Sequence, residues 1–400
     1  MGWNSWDCYG PSVEEGTVRA NAEIMAKELK RYGWEYIVVD IQWYQPTASA
    51  HAYVPFADLV MDKYGRLLPA ENRFPSASGG NGFKPLSDYV HSLGLKFGIH
   101  IMRGIPRQAV HQNAPVFGTN ETIFARDIAK TDSICSWNTD MYGIDPAKPG
   151  AKEYYNSLIS LYASWGVDFI KCDDICRELP KEEAELCLLS ECVKSCDRGM
   201  ILSLSPGPAL TEKAELYKET ADMWRITDDF WDSWELLYAM FERCDKWSAS
   251  VGAGHFPDAD MLPIGAVRQN DDPQNRTRFT PDEQLTMMTL WCIFRSPLMM
   301  GGCLTKLDAF TEGLLKNEFL LAMHRNARHP HQVFRKKING LETVLWTAAS
   351  SAGGQYIAVF NLGEEQNRIT LHGTDFECIH EEWESAFTLP PHGCEARLIP

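Results

Sequence analysis

The sequence predicts an α/β protein, a (β/α)8 TIM barrel followed by a small antiparallel β-sandwich domain. Three observations support this prediction. Apolar strand-like runs alternate with amphipathic helical runs over most of the chain, and eight such pairs can be counted. After residue 328 the pattern changes to short runs separated by turn residues. A chain of 400 residues is long enough for a barrel and a second domain.

The predicted barrel strands are apolar up to their C-terminal ends, as expected of parallel strands buried on both faces. They are 2–9, 36–43, 96–101, 168–174, 200–205, 223–227, 255–262 and 297–302. An open doubly wound sheet is disfavoured, because no G-x-G-x-x-G turn follows the first strand.

Amphipathic helices are predicted between these strands. Residues 13–33 and 151–166 have apolar residues at helical spacing, and each run ends at a glycine. Further helices are predicted at 234–247 and 280–294, the latter opened by a Thr-Pro pair with Glu283 in its first turn.

The change of pattern predicts a separate C-terminal domain. The predicted division is 1–328 for the barrel and 329–400 for the β-domain. Its predicted strands are 331–337, 342–350, 355–363, 367–372, 376–384 and 394–400. Turn residues such as Asn339-Gly340, Gly353-Gly354 and His392-Gly393 separate them.

Charge and composition exclude several partners. Lys and Arg total 38 against 54 Asp and Glu, a net charge of −16 that phosphate backbones and anionic lipids would repel. No apolar run approaches the ~20 residues of a membrane-spanning helix, and the first ten residues do not resemble a signal peptide. The 12 cysteines lack metal-binding spacing. We therefore expect a cytoplasmic protein with reduced thiols, and the sequence leaves open whether it forms a homo-oligomer.

Polar side chains follow the predicted barrel strands, where TIM-barrel active sites lie. They are Asp40, His100, Lys171, Asp173, Asp174, Ser203, Ser205, Arg225, Asp228, Asp229, Asp258 and Asp260. Side chains alternate along a strand, so Lys171 shares a face with Asp173, and Arg225 shares one with Asp229. A neighbouring cation lowers the pKa of a carboxylate and keeps it ionised, as a nucleophile requires.

Aromatic residues flank these strand ends, among them Trp6 and Trp43. Carboxylates, hydroxyls and rings around a concave site are typical of sugar recognition, and two carboxylates on different strands suit glycoside hydrolysis. The residues alone do not choose Asp173 over Asp174, or Asp229 over Asp228. Each of these could instead cap the helix that follows its strand.

A metal-dependent hydrolase is disfavoured. Only His100 and His255 lie near predicted strand ends, and neither belongs to an H-x-H motif. We therefore expect no metal and no other cofactor, and a small-molecule or oligosaccharide substrate.

Several motifs together resemble glycoside hydrolase family 27, the α-galactosidase and α-N-acetylgalactosaminidase family of clan D. They are MGWNSW, V-D-x-x-W, LGLKFGI, WGVDFIKCDD, MWRITDDFWDSW, PDADML and SPLMMGG, in the family's order between residues 1 and 302. A terminal β-domain is also typical of the family. The resemblance implies a retaining exo-glycosidase that acts by double displacement on terminal galacto-configured sugars.

The resemblance also implies roles for individual residues. Asp173 matches the family's nucleophile, and Asp229 matches its acid/base. The residues that match substrate-binding positions are Trp6, Asp40, Lys171 and Arg225, of which Asp40 would hold the axial 4-hydroxyl. Trp43 is the Trp of the V-D-x-x-W motif.

Four positions depart from the family pattern. Ile41 replaces the Asp that binds the 6-hydroxyl in galactose-specific members, and His100 replaces a Tyr. Ser205 occupies the position that contacts the substituent on C2 of the sugar, where N-acetylgalactosaminidases carry Ser. Ile175 replaces a Cys, so the family's loop disulfide is not expected, in agreement with a reducing compartment.

These departures leave three substrates open. α-D-Galactosides are the family default. β-L-Arabinopyranosides have the same ring and hydroxyl arrangement but no C6 hydroxymethyl group, so Ile41 favours them. Ser205 favours α-N-acetylgalactosaminides, although these still carry the 6-hydroxyl. A barrel that binds sugar without turnover is the alternative outside the enzyme class, and it would require the loss of a catalytic carboxylate.

Overall fold

The computed structural model describes residues 1–49, 52–177, 181–376 and 382–399. Its strands are β1 (Gly2–Asn4), β2 (Tyr36–Val39), β3 (Lys96–Met102), β4 (Ile105–Pro106), β5 (Ala129–Ile134), β6 (Met141–Ile144), β7 (Phe169–Asp173), β8 (Ile201–Leu204), β9 (Met223–Arg225), β10 (Phe256–Asp258), β11 (Met299–Met300), β12 (Ala327–Ile338), β13 (Leu341–Ser350), β14 (Gln355–Asn361), β15 (Asn367–His372), β16 (Glu384–Leu389) and β17 (Cys394–Ile399). Its α-helices are α1 (Trp6–Tyr9), α2 (Glu15–Ile24), α3 (Lys84–Ser92), α4 (Arg107–Gln112), α5 (Ala125–Ile128), α6 (Ala151–Ser164), α7 (Glu183–Lys194), α8 (Ala214–Thr220), α9 (Trp234–Trp247), α10 (Pro281–Phe294), α11 (Ala309–Leu315) and α12 (Glu318–Asn326).

Eight parallel strands form the central sheet, in the order β10-β9-β8-β7-β3-β2-β1-β11. Its two ends meet at Leu262, just after β10. The amide of Leu262 donates to the carbonyl of Met299 at 2.8 Å, and its carbonyl accepts from the amide of Gly301 at 2.9 Å. These bonds close the sheet into a barrel whose neighbouring strands are consecutive in the chain, apart from the inserted β4–β6. The predicted TIM barrel is confirmed.

The helices follow the predicted order, with one difference in extent. The predicted helix 13–33 is regular only as α2, and residues 25–32 continue in wider and then tighter helical turns. It ends at Gly33, whose φ of +99° requires a residue without a side chain. At the start of α10, Thr280 accepts from the amide of Glu283, and the Glu283 side chain accepts from the amide of Thr280, as its sequence predicts.

A small antiparallel sheet, β4-β6-β5, is inserted between β3 and α6. The sequence did not predict it. Its strands are short, and β5 (AKTDSI) lacks the apolar alternation that marks a strand. The insertion matters for function, because its β5–β6 turn reaches the mouth of the barrel.

The C-terminal strands form a sandwich of a four-stranded sheet, β12-β13-β14-β17, and a two-stranded sheet, β15-β16. The side chains buried between the sheets include Leu345, Val359, Ile369, Leu371, Phe387 and Leu389. The Asn339-Gly340 turn has positive φ at both residues, which suits a two-residue hairpin. Most of the predicted strand 376–384 falls on residues 377–381, which lie outside the described part, and the observed strand β16 follows it.

The sandwich packs on the barrel through α9 and α10. Trp346 of β13 contacts Phe294 of α10 with ring centroids 6.2 Å apart, and Trp234 at the start of α9 stacks on His392 at 3.6 Å. The first strand of the sandwich begins at Ala327, just before the predicted boundary. The division at residue 328 stays a prediction. None of the helices in the described residues is long and apolar enough to cross a membrane.

Candidate active site

A cavity of about 400 Å³ opens at the C-terminal ends of the barrel strands. The sequence-predicted site residues that line it are Trp6, Asp40, Ile41, Lys171, Asp173 and Asp229. Six further residues line it, namely Tyr53, Ser136, Trp137, Arg177, Pro206 and Asp228. The structure thus brings the residues of five different strand ends to one concave site, as the barrel prediction requires.

The carboxylates of the cavity differ in depth. The side chain of Asp40 is 0% exposed and that of Asp173 is 10% exposed, whereas that of Asp229 is 54% exposed. The cavity is therefore closed at Asp40 and open to solvent at Asp229.

Asp173, the last residue of β7, is held at both carboxylate oxygens. Nε2 of His100 lies 2.7 Å from its Oδ2, and the hydroxyl of Ser205 donates to its Oδ1. An ionised carboxylate only accepts hydrogen bonds, so the imidazole carries its proton on Nε2. Nζ of Lys171 lies 3.8 Å from the same Oδ2.

These neighbours keep Asp173 ionised. Burial alone would raise the pKa of Asp173, but the Lys171 ammonium, the His100 hydrogen bond and the Arg225 guanidinium outweigh burial and lower the pKa to about 2. A carboxylate that is desolvated yet ionised at neutral pH has the properties of a nucleophile.

Asp40 and Lys171 form the closed end of the cavity. Oδ2 of Asp40 accepts from Nζ of Lys171 at 2.9 Å and from Nδ2 of Asn4 at 2.7 Å, while its Oδ1 accepts from the amide of Ile41 at 2.8 Å. Three of about four acceptor positions of the carboxylate are thus used, which leaves room for one hydroxyl group. The negative charges of Asp173 and Asp40 raise the pKa of Lys171 despite its burial, so the ammonium stays charged.

Asp229 at the open end is bound to Arg225. Nη2 of Arg225 lies 3.1 Å from Oδ1 of Asp229 and 2.6 Å from Oδ2 of the buried Asp260. Burial raises the pKa of Asp260 to about 7. The positive charge of Arg225 lowers the pKa, and the negative charge of Asp229 raises it by a smaller amount. Arg225 thus holds the exposed carboxylate in place and is itself fixed by a buried one.

The structure separates the neighbouring aspartates that the sequence could not. Asp174 has a φ of +64° and forms an ion pair with the buried Arg103 at 3.0 Å, away from the cavity. Asp228 lines the cavity but forms a two-bond ion pair with Arg177, at 2.7 and 3.0 Å. The structure therefore separates Asp174 from the cavity, while Asp228 and Asp229 both line it. The roles of Asp173 as nucleophile and Asp229 as acid/base stay predictions.

The other sequence-predicted residues lie behind the cavity wall. His100 and Ser205 are buried against Asp173, and Arg225 is buried behind Asp229. Trp43 is fully buried, and its indole donates to the backbone carbonyl of His100 at 2.8 Å. The structure thus places these residues where they support the carboxylates, and their direct contact with a sugar stays a prediction.

Two aromatic lining residues were missed by sequence reasoning. Tyr53 lies nearly parallel to Trp6 with ring centroids 5.9 Å apart, and Trp137 lies 5.6 Å from Tyr53. Tyr53 belongs to the long segment between β2 and α3, and Trp137 to the β5–β6 turn. No periodic pattern marks either residue, because both are brought to the cavity by the path of irregular segments.

Asp40, His100 and Asp173 are close enough together to be considered as metal ligands. Three of the atoms that they offer, Oδ2 of Asp40, Oδ2 of Asp173 and Nε2 of His100, are already engaged, however. Lys171 supplies a cation to both carboxylates, and the protonated Nε2 of His100 is bound to Asp173. The group therefore does not fit a metal ion, and the independence from metals stays a prediction.

Residues 145–326 match the Melibiase_2 family model, described as alpha galactosidase A. A family 27 β-L-arabinopyranosidase from Geobacillus stearothermophilus is 53% identical in sequence, with a TM-score of 0.95 over 100% of this chain and 96% of that one. The chain belongs to glycoside hydrolase family 27. It is a glycoside hydrolase of the α-galactosidase family, and its fold is that of the family.

Other relatives differ in the substrates named for them. A candidate α-N-acetylgalactosaminidase from Bacillus halodurans is 50% identical, with a TM-score of 0.88 over 99% of this chain and 95% of that one. An α-galactosidase from Coffea arabica is 26% identical over 94% of this chain and 82% of its own length. Family membership therefore does not by itself select the substrate.

Proposed function

We propose that this glycoside hydrolase is a retaining exo-β-L-arabinopyranosidase. The single observation that carries the substrate is Ile41, a buried apolar side chain in the cavity wall directly beside Asp40. The closed end of the cavity at Asp40 supports exo action, because only the end of a saccharide can enter it.

The first half of the reaction forms a covalent intermediate. Protonated Asp229 donates its proton to the glycosidic oxygen, while an oxygen of Asp173 attacks the anomeric carbon. The bond between the anomeric carbon and the glycosidic oxygen breaks, and the aglycone leaves as a neutral alcohol. The low pKa of Asp173 and the open position of Asp229 support this division of roles.

The second half reverses the roles of acid and base. Asp229, now ionised, removes a proton from water, and the water oxygen attacks the anomeric carbon from the side that the aglycone left. The ester bond to Asp173 breaks, and the sugar leaves with its original anomeric configuration. His100 and Ser205 stabilise the carboxylate charge that returns to Asp173.

Ile41 favours a sugar without a hydroxymethyl group. The resemblance to family 27 aligns Ile41 with the residue that binds the 6-hydroxyl of galactose, and an isoleucine offers that hydroxyl no partner. Leaving a buried hydroxyl without a hydrogen bond costs about 1–3 kcal/mol. A β-L-arabinopyranoside carries no group at this position and avoids the cost.

Two nearby side chains that could replace the missing carboxylate are already engaged. Nε2 of Gln42 donates to Asp140 at 2.6 Å, and His100 donates to Asp173 at 2.7 Å. The sequence identity of 53% to a β-L-arabinopyranosidase is independent support for the same substrate.

One observation favours the α-N-acetylgalactosaminidase alternative. By its resemblance to the family, Ser205 occupies the position that contacts the substituent on C2 of the sugar. In this structure the Ser205 hydroxyl donates to Asp173. A galactosaminide also carries the 6-hydroxyl that would face Ile41. We therefore place this substrate behind the arabinopyranoside.

The test is a comparison of kcat/KM on three aryl glycosides, the β-L-arabinopyranoside, the α-D-galactoside and the α-N-acetylgalactosaminide. We expect the arabinopyranoside to be preferred. A higher kcat/KM on either of the other sugars would contradict the proposed substrate. Proton NMR of the first-formed sugar tests the mechanism separately, because an inverted product would exclude double displacement.

A further inference from the structure

We propose that Arg103, Glu182 and Glu185 form a buried clamp that holds one proton, fixes the inserted sheet β4-β6-β5 to the barrel and loosens when that proton is lost. The clamp residues do not line the catalytic cavity. The inserted sheet, however, carries the β5–β6 turn, whose Ser136 and Trp137 line it. The clamp therefore positions part of the wall of the active site.

One positive charge faces three negative charges at the clamp. Nη1 of Arg103 lies 3.3 Å from Oε2 of Glu185 and 3.6 Å from Oε2 of Glu182. Nη2 of Arg103 lies 3.0 Å from Oδ2 of Asp174. None of these four side chains is more than 8% exposed. Since one guanidinium balances one carboxylate and a buried charge without a partner is costly, this geometry favours the binding of a proton.

Glu185 is the carboxyl group that holds the proton. Its Oε1 accepts from the amide of Ile144 at 3.0 Å and from the hydroxyl of Tyr155 at 2.7 Å, so the proton lies on Oε2. Burial raises the pKa of Glu185 to about 7, although the charge of Arg103 lowers it, and the charge of Glu182 adds a further rise.

The other titratable groups near Glu185 supply no positive charge. Burial raises the pKa of Tyr155 and of Cys172 well above their usual values, so both stay neutral. The groups that face Glu185 come from four elements of the barrel: Arg103 after β3, Cys172 and Asp174 from the end of β7, Glu182 before α7 and Tyr155 from α6.

The clamp is bonded to two strands of the inserted sheet. The hydroxyl of Ser133 in β5 donates to Oε1 of Glu182 at 2.8 Å, and Ile144 of β6 donates its amide to Glu185. An ionised Glu185 would repel the carboxylate of Glu182. Glu182 stands just before α7 and can turn towards solvent, whereas Glu185 lies within the helix. Loss of the proton therefore releases Ser133, and with it the strand that leads to the cavity wall.

The first test detects the proton by infrared difference spectroscopy. Glu185→Gln keeps the shape of the side chain and an oxygen acceptor for Ile144, but it has no carboxyl group. In mildly acidic buffer, the wild type should show the C=O stretch of one protonated carboxyl group that Glu185→Gln lacks. This band should disappear from the wild type as the pH passes about 7. Equal intensity in the two proteins would overturn the proposal.

Glu15→Gln is the matched control. Glu15 is also a buried glutamate, but it has an arginine of its own, with Nη2 of Arg19 at 2.7 Å. Removing its carboxylate should leave the band in place. Loss of the band in Glu15→Gln would overturn the assignment to Glu185.

The second test is the pH dependence of thermal unfolding. Folded Glu185 keeps its proton up to about pH 7, whereas the unfolded chain releases it near the lower, usual pKa of Glu. Between these values the folded state binds one more proton, so rising pH destabilises it. The Tm of Glu185→Gln relative to the wild type should therefore rise by about 3 °C over two pH units in this window. Glu15→Gln should show no such rise, and a constant difference for Glu185→Gln would contradict the proposal.

The third test follows the inserted sheet itself, by amide hydrogen exchange in the wild type without substrate. All three readouts are therefore independent of the sugar that the enzyme hydrolyses. After correction for the intrinsic pH dependence of exchange, protection of β5 and β6 should fall by up to about tenfold per pH unit towards pH 7 and then level off. Strand β13 is the reference and should not change. If β5 and β6 keep their protection over this range, or lose as much in Glu185→Gln, the clamp does not hold the sheet through this proton.

Discussion

His100 and Asp173 are joined by a 2.7 Å hydrogen bond between the C-terminal ends of β3 and β7. Both side chains are buried, and Nδ1 of His100 has no hydrogen-bond partner among the described residues. The imidazole therefore has one polar contact at the site, and that contact is the carboxylate that the mechanism assigns as nucleophile. We therefore propose that His100 positions Asp173.

The first prediction follows from this contact. Removing the His100 donor by His100→Phe should raise the pKa of Asp173 from its lowered value near 2. Because the ionised form of Asp173 is the active one, the acid limb of kcat/KM should move to higher pH. A hydrogen bond to a charged group contributes about 1.5–3 kcal/mol, which corresponds to a shift of roughly one to two pH units.

Two variants control this measurement. His100→Gln keeps an N–H donor near the Nε2 position and should shift the acid limb less. His91 makes the same contact with Asp168, Nε2 to Oδ2 at 2.7 Å, but at the N-terminal end of β7. His91→Phe should leave the pH profile unchanged. If His100→Phe also leaves the profile unchanged, His100 does not act through Asp173.

The second prediction concerns the nucleophile. Asp173→Ala should remove nearly all activity, because no glycosyl-enzyme can form. Azide should partly restore turnover of an activated aryl glycoside and give the glycosyl azide of inverted configuration. Asp174→Asn changes the neighbouring carboxylate that pairs with Arg103. This variant should still release a sugar with its original anomeric configuration. Rescue of Asp174→Asn rather than Asp173→Ala would reverse the assignment.

The third prediction concerns the acid/base. Asp229→Ala should lower the rate by roughly 10²–10⁴ on substrates with poor leaving groups, the usual contribution of a general acid. Aryl glycosides with acidic leaving groups need little protonation and should lose much less in the glycosylation step. Asp228→Ala is the matched change at the adjacent residue and should not show this dependence on the leaving group. If it does, Asp228 is the acid.

The sequence predicted the barrel and much of the site, because both depend on regular alternation. Lys171 and Asp173 share one strand face, and the structure places their charged atoms 3.8 Å apart. The choice between Asp173 and Asp174 was not available from alternation alone. It depends on the positive φ of Asp174, which ends the strand and directs that side chain to Arg103.

The rest of the cavity depends on long-range contacts that leave no local pattern. Trp137 reaches the mouth only because the inserted sheet β4-β6-β5 folds over the barrel. His100 and Ser205 were expected to contact the substrate, and their bonds to Asp173 became visible only in three dimensions. Residue types at strand ends can therefore be predicted from sequence, but their partners require the folded chain.

The fourth prediction is that a chelator leaves activity unchanged. The positive charge beside Asp40 and Asp173 comes from Lys171, whose Nζ lies 2.9 and 3.8 Å from their oxygens. The catalytic carboxylates themselves stabilise an oxocarbenium-like transition state. Dialysis against EDTA followed by assay is the measurement. A loss of activity that zinc or manganese restores would contradict the proposed mechanism.

The fifth prediction concerns the choice of sugar at Ile41. A galactoside would leave its 6-hydroxyl without a partner, at a cost of about 1–3 kcal/mol. The wild type should therefore prefer the arabinopyranoside by roughly 5- to 200-fold in kcat/KM.

Ile41→Asp should raise kcat/KM on the aryl α-D-galactoside, because the carboxylate accepts from the 6-hydroxyl. It should lower kcat/KM on the aryl β-L-arabinopyranoside, because an ionised group would then face a corner with no hydroxyl. Ile41→Val, which removes one methylene group and adds no charge, should leave the ratio close to that of the wild type. If Ile41→Asp also leaves it unmoved, the substrate is not selected at this position.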